Sequence, residues 1–156
     1  MTLRNLLLNV NKYTIRNIMK RHGENEVTDI KLRAQGSWLT VVVTFVKAKT
    51  VNRLANLWYI LIGKDLVKLS PLNITKEEII GRNTFAVKLA NLPFGITAYD
   101  LLEIVTRTKA KGCFIPRTNG RYDRLRFAIF NFETEEDMHN VFISNDQFEI
   151  KGKRLT

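Results

Sequence analysis

The stretch LRFAIFNF, residues 125–132, places apolar and aromatic side chains at alternating positions in a basic part of the chain. Successive side chains of a β-strand point to opposite faces, so this pattern predicts a strand with one buried face. The side chains predicted to be buried are Ala128, Phe130 and Phe132, and those predicted on the open face are Phe127, Ile129 and Asn131. The register of this strand therefore decides which side chains a ligand can reach.

The second half of the chain reads as strand, helix, strand, strand, helix, strand. FAVKLANL, KGCFIP, LRFAIFNF and FEIKGKRLT are the strand patterns. Thr97 with Asp100 and Thr134 with Asp137 form capping pairs, which predict two helix starts. Met138, Val141 and Phe142 are spaced for one buried face of the second helix.

The first half repeats this order more faintly. Strands are predicted at residues 5–10, in VTDIKLR, in WLTVVVTFV and in KDLVKLS, and helices at residues 12–23 and 50–62. Two diverged copies of one domain explain the repeat, so we expect domains at residues 1–72 and 85–156. Thr75 with Glu78 predicts one helical turn in the linker, residues 73–84. The last strand meets the end of the sequence at Thr156, and we expect the native chain to continue.

These patterns resemble the RNA recognition motif (RRM) family. VKLANL, residues 87–92, resembles the family's hexamer, and LRFAIFNF its octamer. Phe127, Ala128 and Phe132 match the octamer; Leu125, Arg126 and Ile129 depart from it. The resemblance implies an α+β fold of two ferredoxin-like βαββαβ domains, each a four-stranded antiparallel sheet with two helices on one face. It also implies that bases stack on aromatic side chains of the open face.

In the second domain the face assignment predicts a nucleic-acid site. Phe127 and Phe114 would stack on bases, Lys88 and Arg126 would contact phosphate, and Ile129 and Asn131 would complete the open face. Lys88 and Ile129 fill two of the family's usual stacking positions, which predicts modest affinity. The structural alternative is that another part of the protein covers Phe127 and Phe114.

Arginines cluster around the loop between the second and third strands of this domain. They are Arg117, Arg121, Arg124 and Arg126, with Tyr122 among them. In the RRM family this loop often grips the nucleic-acid backbone, and Tyr122 could stack on a base. An ordinary mobile basic loop explains the same residues.

The first domain offers no aromatic side chain at the outward positions of its octamer equivalent, which are Thr40, Val42 and Thr44. Its charge is nevertheless lopsided: residues 1–72 hold 12 Lys and Arg against 4 acids, in a chain of net charge +10. Lys12, Arg16 and Lys20 recur every four residues and form one stripe on the first helix. The stripe either follows a phosphate backbone or is a solvated outer face.

The composition excludes several other classes of function. One cysteine, Cys113, excludes an internal disulfide, and His22 and His139 each lie where a structural role is expected. Without a phosphate loop, metal-ligand pair or nucleophile elbow, we expect no enzyme activity, no cofactor, no metal and no small-molecule substrate. No secretory or membrane segment is evident, and we expect an intracellular protein, nuclear or cytoplasmic, without a membrane partner.

The sequence thus favours a binder of single-stranded nucleic acid, with RNA preferred over single-stranded DNA only by family resemblance. The alternative is a protein-interaction module. In that case a protein partner would dock on an apolar open face of the first domain, or on surplus apolar residues of its second helix, namely Leu57, Ile60 and Leu61. Binding driven by charge weakens steeply with salt, whereas an apolar interface does not.

Overall fold

The computed structural model describes residues 1–6, 10–21, 27–35, 38–118, 121, 123–143, 148–150 and 153–156. The chain divides into two units. The first comprises Met1–Ile62 and Val67–Ile74, and the second Gly63–Leu66 and Thr75–Thr156. The domain limits expected from the sequence stay a prediction.

The first unit is built on a five-stranded sheet of strand order β2-β3-β1-β5-β4, and the strand pairs with a described register are antiparallel. Its elements are β1 (Thr2–Leu6), α1 (Lys12–Arg21), β2 (Val27–Gln35), β3 (Trp38–Phe45), α2 (Ala48–Leu54), β4 (Tyr59–Ile62) and β5 (Asp65–Ser70), of which the first two residues, Asp65 and Leu66, belong to the second unit. The amphipathic α1 buries Ile15, Ile18 and Met19 in the core. One face of the sheet is therefore covered by helix and the other is open.

Two predicted elements of the first unit are wrong in extent. The helix expected at residues 50–62 ends at Leu54, and Tyr59–Ile62 is a strand instead. This run is rich in aromatic and β-branched side chains, which favour strands, and Gly63, with φ +62°, allows the turn into β5. The strand expected at residues 5–10 is observed as Thr2–Leu6, while residues 7–9 lie outside the described part of the chain.

The second unit has a three-stranded antiparallel sheet of order β6-β8-β7. Its elements are α3 (Lys76–Thr84), β6 (Phe85–Leu89), a 3₁₀ turn (Tyr99–Leu101), α4 (Leu102–Arg107), β7 (Gly112–Phe114), β8 (Ala128–Phe132), α5 (Glu135–Ile143), β9 (Glu149–Ile150) and β10 (Lys153–Arg154). The last strand predicted is a short hairpin of β9 and β10. Beyond β10, Thr156 exchanges two backbone hydrogen bonds with Ala90, so the chain end lies beside β6 as a fourth strand would.

The predicted register of β8 is confirmed. Ala128, Phe130 and Phe132 are buried in the core, with Phe130 only 3% exposed, whereas Phe127 and Ile129 are partly exposed. Burying one aromatic face of this strand against two helices fixes which side chains remain on the other face. The α+β, RRM-like fold expected from the sequence is therefore confirmed, with a fifth strand added to the first sheet.

The predicted pairs of Thr with an acidic residue all form, but only Thr75 and Thr134 cap a helix through the side chain. The Thr97 hydroxyl donates to Asp100, and the 3₁₀ turn begins after Ala98 without a side-chain cap. Thr97 donates its backbone N–H to Asp100 at 2.9 Å, and Thr134 Oγ1 accepts from the backbone N–H of Asp137 at 3.1 Å. In the linker, Thr75 and Glu78 form a reciprocal capping box that opens α3. The segment is a nine-residue helix rather than a single turn.

One feature of α5 differs from its predicted buried face. Met138 and Val141 pack against the core, but Phe142 is 62% exposed. Among the described helices, none has the length and apolar character needed to cross a membrane.

Candidate nucleic-acid interface

Three of the predicted site residues form one row across the second sheet. Lys88 on β6 pairs with Ile129 on β8, and Ile129 pairs with Phe114 on β7. Directly paired side chains of neighbouring strands lie about 5 Å apart on the same face. The row therefore presents, side by side, an exposed ammonium, an aliphatic side chain and a partly exposed aromatic ring.

Phe127 adds a second aromatic ring next to this row. The Nζ atom of Lys88 lies 4.3 Å from the centroid of the Phe127 ring, within the range of a cation–π interaction. The ring is thus capped by the ammonium of Lys88, and Lys88, Phe127 and Phe114 form one continuous surface.

Asn131 does not belong to the accessible surface predicted for it. It lies on the open side of β8, opposite Phe130 and Phe132, yet it is only 4% exposed. The helix α3 runs directly into β6, contacts both β6 and β8, and contributes no residue to the core on the other face. We attribute the burial of Asn131 to α3, which closes this end of the open face.

Arg126 lies at the opposite end of the open face. Its Nε atom donates to the carbonyl of Leu92 at 2.8 Å, while the backbone N–H of Leu92 donates to the carbonyl of Arg126 at 3.0 Å. The residue as a whole is exposed. The guanidinium group is therefore anchored through Nε, which leaves its two terminal NH₂ groups as further donors of this exposed residue.

The arginine cluster predicted around the loop is divided by the structure. Arg117 and Arg124 both bind the carboxylate of Asp65, at 3.1 and 3.3 Å, and their side chains are only 11% and 26% exposed. Both are therefore committed to a partly buried ion pair within the second unit, contrary to the expectation of two exposed phosphate ligands. Arg121 is exposed, and Tyr122 lies outside the described residues.

In the first unit the outward positions of β3 agree with the alternation predicted. Leu39, Val41 and Val43 are buried, and Thr40, Val42 and Thr44 lie on the open face. Trp38, at the start of β3, is partly exposed and lies on the same face as this row.

The open face of the first sheet is instead basic, a feature missing from the sequence prediction. Its cationic residues are Arg4, Lys31, Arg33 and Lys68, here called the basic sheet face. Arg4 and Lys68 are paired across β1 and β5, and Lys31 and Arg33 pair with Val42 and Thr40 on β3.

Charge crowding is evident at one position of this face. The pKa of Lys68 is lowered, first by partial burial and second by the nearby positive charge of Arg4. A bound anion would offset the effect of the Arg4 charge on the pKa of Lys68. Lys31 has a carboxylate, Asp29, 4.0 Å away, in an exposed pair of the kind that contributes little.

The stripe predicted on α1 is exposed as expected. Lys12, Arg16 and Lys20 are all exposed, while Ile15 and Met19 of the same helix are buried. Because α1 packs on the core side of the sheet, this stripe faces away from the basic sheet face. The first unit thus carries positive charge on two opposite sides.

None of the protein-family models or curated proteins compared with this chain matches it. Among solved structures, the chain is similar to the three N-terminal RNA binding domains of a yeast splicing factor, with 15% identity, a TM-score of 0.39, and coverage of 100% of this chain and 61% of that one. It is also similar to the first two RRM domains of a yeast poly(U) binding protein, with 14% identity, a TM-score of 0.39, and coverage of 99% and 96%.

A third similar structure holds RNA recognition domains 1 and 2 of the Sex-lethal protein of Drosophila melanogaster, with 15% identity, a TM-score of 0.39, and coverage of 93% and 92%. The chain spans less than two thirds of the splicing-factor structure. The RRM-like description of this chain rests on its own strand order, on the register of β8 and on the helices that cover one face of each sheet.

Proposed function

We propose that this protein binds single-stranded nucleic acid, with RNA as the preferred ligand, through the open face of the second sheet and the basic sheet face of the first. The observation that carries the proposal is the row Lys88, Ile129 and Phe114 beside Phe127. Aromatic rings next to cations on an open sheet suit the faces of bases and the phosphates between them.

The contact between Lys88 and Phe127 sets how the second sheet would act. A cation–π pair at an exposed site contributes about 0.5 to 1 kcal/mol, whereas a base stacked on an aromatic ring contributes about 1 to 3 kcal/mol. A base can therefore displace Lys88 from the ring, and the displaced ammonium remains close enough to pair with a phosphate. Phe114 offers a second ring in the adjacent row.

The basic sheet face would bind differently because its described outward positions carry four cations and a partly exposed aromatic side chain, Trp38, at the start of β3. Phosphate contacts carry no direct sequence information, and each one releases counterions from the nucleic acid. We therefore assign to the first unit a sequence-independent, salt-sensitive contribution, and to the second unit the contacts with bases.

The alternative of a protein-interaction module loses part of its support. Ile60 is buried in β4 and is not part of a surplus helical stripe, although Leu57 is 39% exposed. The open face of the first sheet carries four cations beside Trp38 and Val42 and is therefore not a purely apolar surface. These charges favour a polyanion over an apolar peptide as the ligand of this face.

Fluorescence-polarisation titration of labelled single-stranded RNA and DNA of mixed sequence tests the proposal, at low and at near-physiological salt. Saturable binding that weakens with salt is expected, with RNA bound more tightly. The proposal fails if neither ligand binds at low salt, or if affinity is insensitive to salt. Double-stranded DNA of the same length is the control for binding by charge alone.

A further inference from the structure

The turn that follows β6 holds an aromatic ring in solvent. Phe94 is 93% exposed, although Leu92 and Ile96 on either side of it are 1% and 2% exposed. The backbone N–H of Ile96 donates to the carbonyl of Pro93 at 3.4 Å, and Gly95 has φ +81°, as the third residue of a type II turn requires. Two buried anchors and a closed turn thus keep this ring out of the core.

The turn stands at a defined place relative to the open face of the second sheet. Lys88 pairs with Ile129, and further along the same two segments Leu92 and Arg126 exchange hydrogen bonds. The turn therefore begins beyond Phe127, at the end of the face opposite to Asn131. Because α3 closes the Asn131 end, the Phe94 end is the open end of this face along the strand direction.

The surroundings of the turn favour a polyanion with aromatic bases over an apolar peptide. Arg126 is exposed and hydrogen-bonded to Leu92, two residues before Phe94. The same connection carries a second exposed aromatic, Tyr99, at 57%. The backbone N–H of Tyr99 donates at 3.1 Å to the carbonyl of Lys64, whose side chain is exposed. Exposed rings interleaved with cations are typical of surfaces that bind single-stranded nucleic acid.

We propose that the Phe94 turn extends the nucleic-acid interface: an unpaired base stacks on Phe94, and Arg126 contacts the adjoining phosphate. This inference rests on the proposed function of the second sheet and adds to it a site outside the strands. The ligand is then longer than the two or three nucleotides that the sheet can hold. Stacking a base on Phe94 costs little conformational entropy of the protein, because the turn already fixes the backbone of Phe94.

Ligand length provides the test. Wild-type protein and the variants Phe94→Ala, Phe94→Leu and Phe142→Ala are titrated with RNA of about four and about eight nucleotides, since single-strand sites begin near that size. Phe142 is an exposed phenylalanine of the same unit and serves as the matched control. Circular dichroism confirms that each variant is folded, as expected for exposed positions.

Phe94→Ala should weaken binding of the longer RNA at least about fivefold and leave the shorter RNA unaffected, because stacking on one ring is lost. Phe94→Leu should behave like Phe94→Ala, since leucine keeps apolar area but has no π face. Phe142→Ala should bind as wild type. Equal binding of the longer RNA by wild type and Phe94→Ala overturns the inference and leaves the proposed function intact.

Two other results would also overturn it. Retention of affinity by Phe94→Leu would mean that Phe94 makes a general apolar contact, as a protein partner would use, and that no base stacks there. Absence of binding by the wild type at either length would remove the proposed function itself. Photocrosslinking with 5-bromouridine provides an independent measurement: the peptide containing Phe94 should be crosslinked by the longer RNA and not by the shorter.

Discussion

The two open sheet faces of this chain have the same architecture and different chemistry. The face of the second sheet carries Phe114 and Phe127 with a single lysine over the latter. The face of the first sheet carries four cations, with Thr40 where the second sheet has Phe127 and with Trp38 at the start of β3. The comparison teaches that changing only the outward strand positions turns an aromatic surface into a mainly cationic one, while the buried positions of both sheets stay apolar.

The largest expected effect is on stability, and it tests which positions of β8 are buried and which are open. Phe130→Ala should lower the free energy of unfolding by about 3 to 5 kcal/mol, because Phe130 is 3% exposed and its removal leaves a cavity. Chemical denaturation measures the loss, with Phe127→Ala as the matched control that should change stability little.

Cys113 gives a second readout of the same change. Cys113 lies on β7 and pairs with Phe130 on β8, and burial raises the pKa of its thiol to about 12. The wild-type thiol should therefore resist alkylation near neutral pH, and Phe130→Ala should accelerate labelling. Equal labelling rates and equal stability would mean that the register of β8 is wrong.

The next largest effect concerns the aromatic row. Phe114→Ala should weaken RNA binding about fivefold to a hundredfold, because a base stacked on an aromatic ring contributes about 1 to 3 kcal/mol. Fluorescence polarisation at fixed salt measures the change. Wild-type affinity in a folded Phe114→Ala variant would show that the face of the second sheet does not hold bases at this row.

Asp65→Asn tests whether Arg117 and Arg124 are structural. Removing the carboxylate takes away the negative charge that both partly buried guanidinium groups bind, so stability should fall by about 1 to 2 kcal/mol. RNA affinity at low salt should rise, because the released arginines become available to phosphate. A loss of RNA affinity with unchanged stability would contradict the structural role.

The basic sheet face is tested by its salt dependence. The double variant Arg4→Gln and Arg33→Gln should reduce the slope of log K against log salt by about 1 to 1.5, since each phosphate contact of a single strand contributes about 0.7. Titrations at four or more salt concentrations give the slope. An unchanged slope would remove the first sheet from the interface.

The smallest effect is expected on α1. Replacing Lys12, Arg16 and Lys20 together by glutamine should change RNA affinity by less than about twofold at physiological salt, because this stripe lies on the side of the core away from the sheet face. The same titrations measure it. A decrease in slope as large as that of the sheet variant would move the phosphate site to the helix.

The local sequence pattern was sufficient to predict those parts of the fold in which the pattern fits only one kind of element. The strict alternation of LRFAIFNF predicted Phe130 as buried and Phe127 as open, and the capping pairs at Thr75 and Thr134 located two helix starts. The run LWYILI was ambiguous, because its spacing suits a helical stripe while its residue types favour a strand. The hairpin that this run forms with β5 through the turn at Gly63 resolves the ambiguity in favour of the strand.

The site was less predictable because its details depend on distant contacts. The pairing of Asp65 with Arg117 and Arg124 joins residues 52 and 59 positions apart, and the burial of Asn131 depends on where α3 lies. The basic sheet face, in contrast, was visible in the sequence as cations alternating with buried residues, such as Lys68 between Val67 and Leu69. Aromatic residues alone do not reveal such a face, because its signal lies in the cationic positions.

The most direct test of the central claim is the salt dependence of single-stranded RNA binding by wild type and Phe127→Ala, measured together by fluorescence polarisation. The account predicts that the variant binds more weakly at every salt concentration with an unchanged slope, because a stacking ring is lost and no phosphate contact is. Identical affinities for the two proteins would contradict it, since the bases would then lie elsewhere than on the open face of the second sheet.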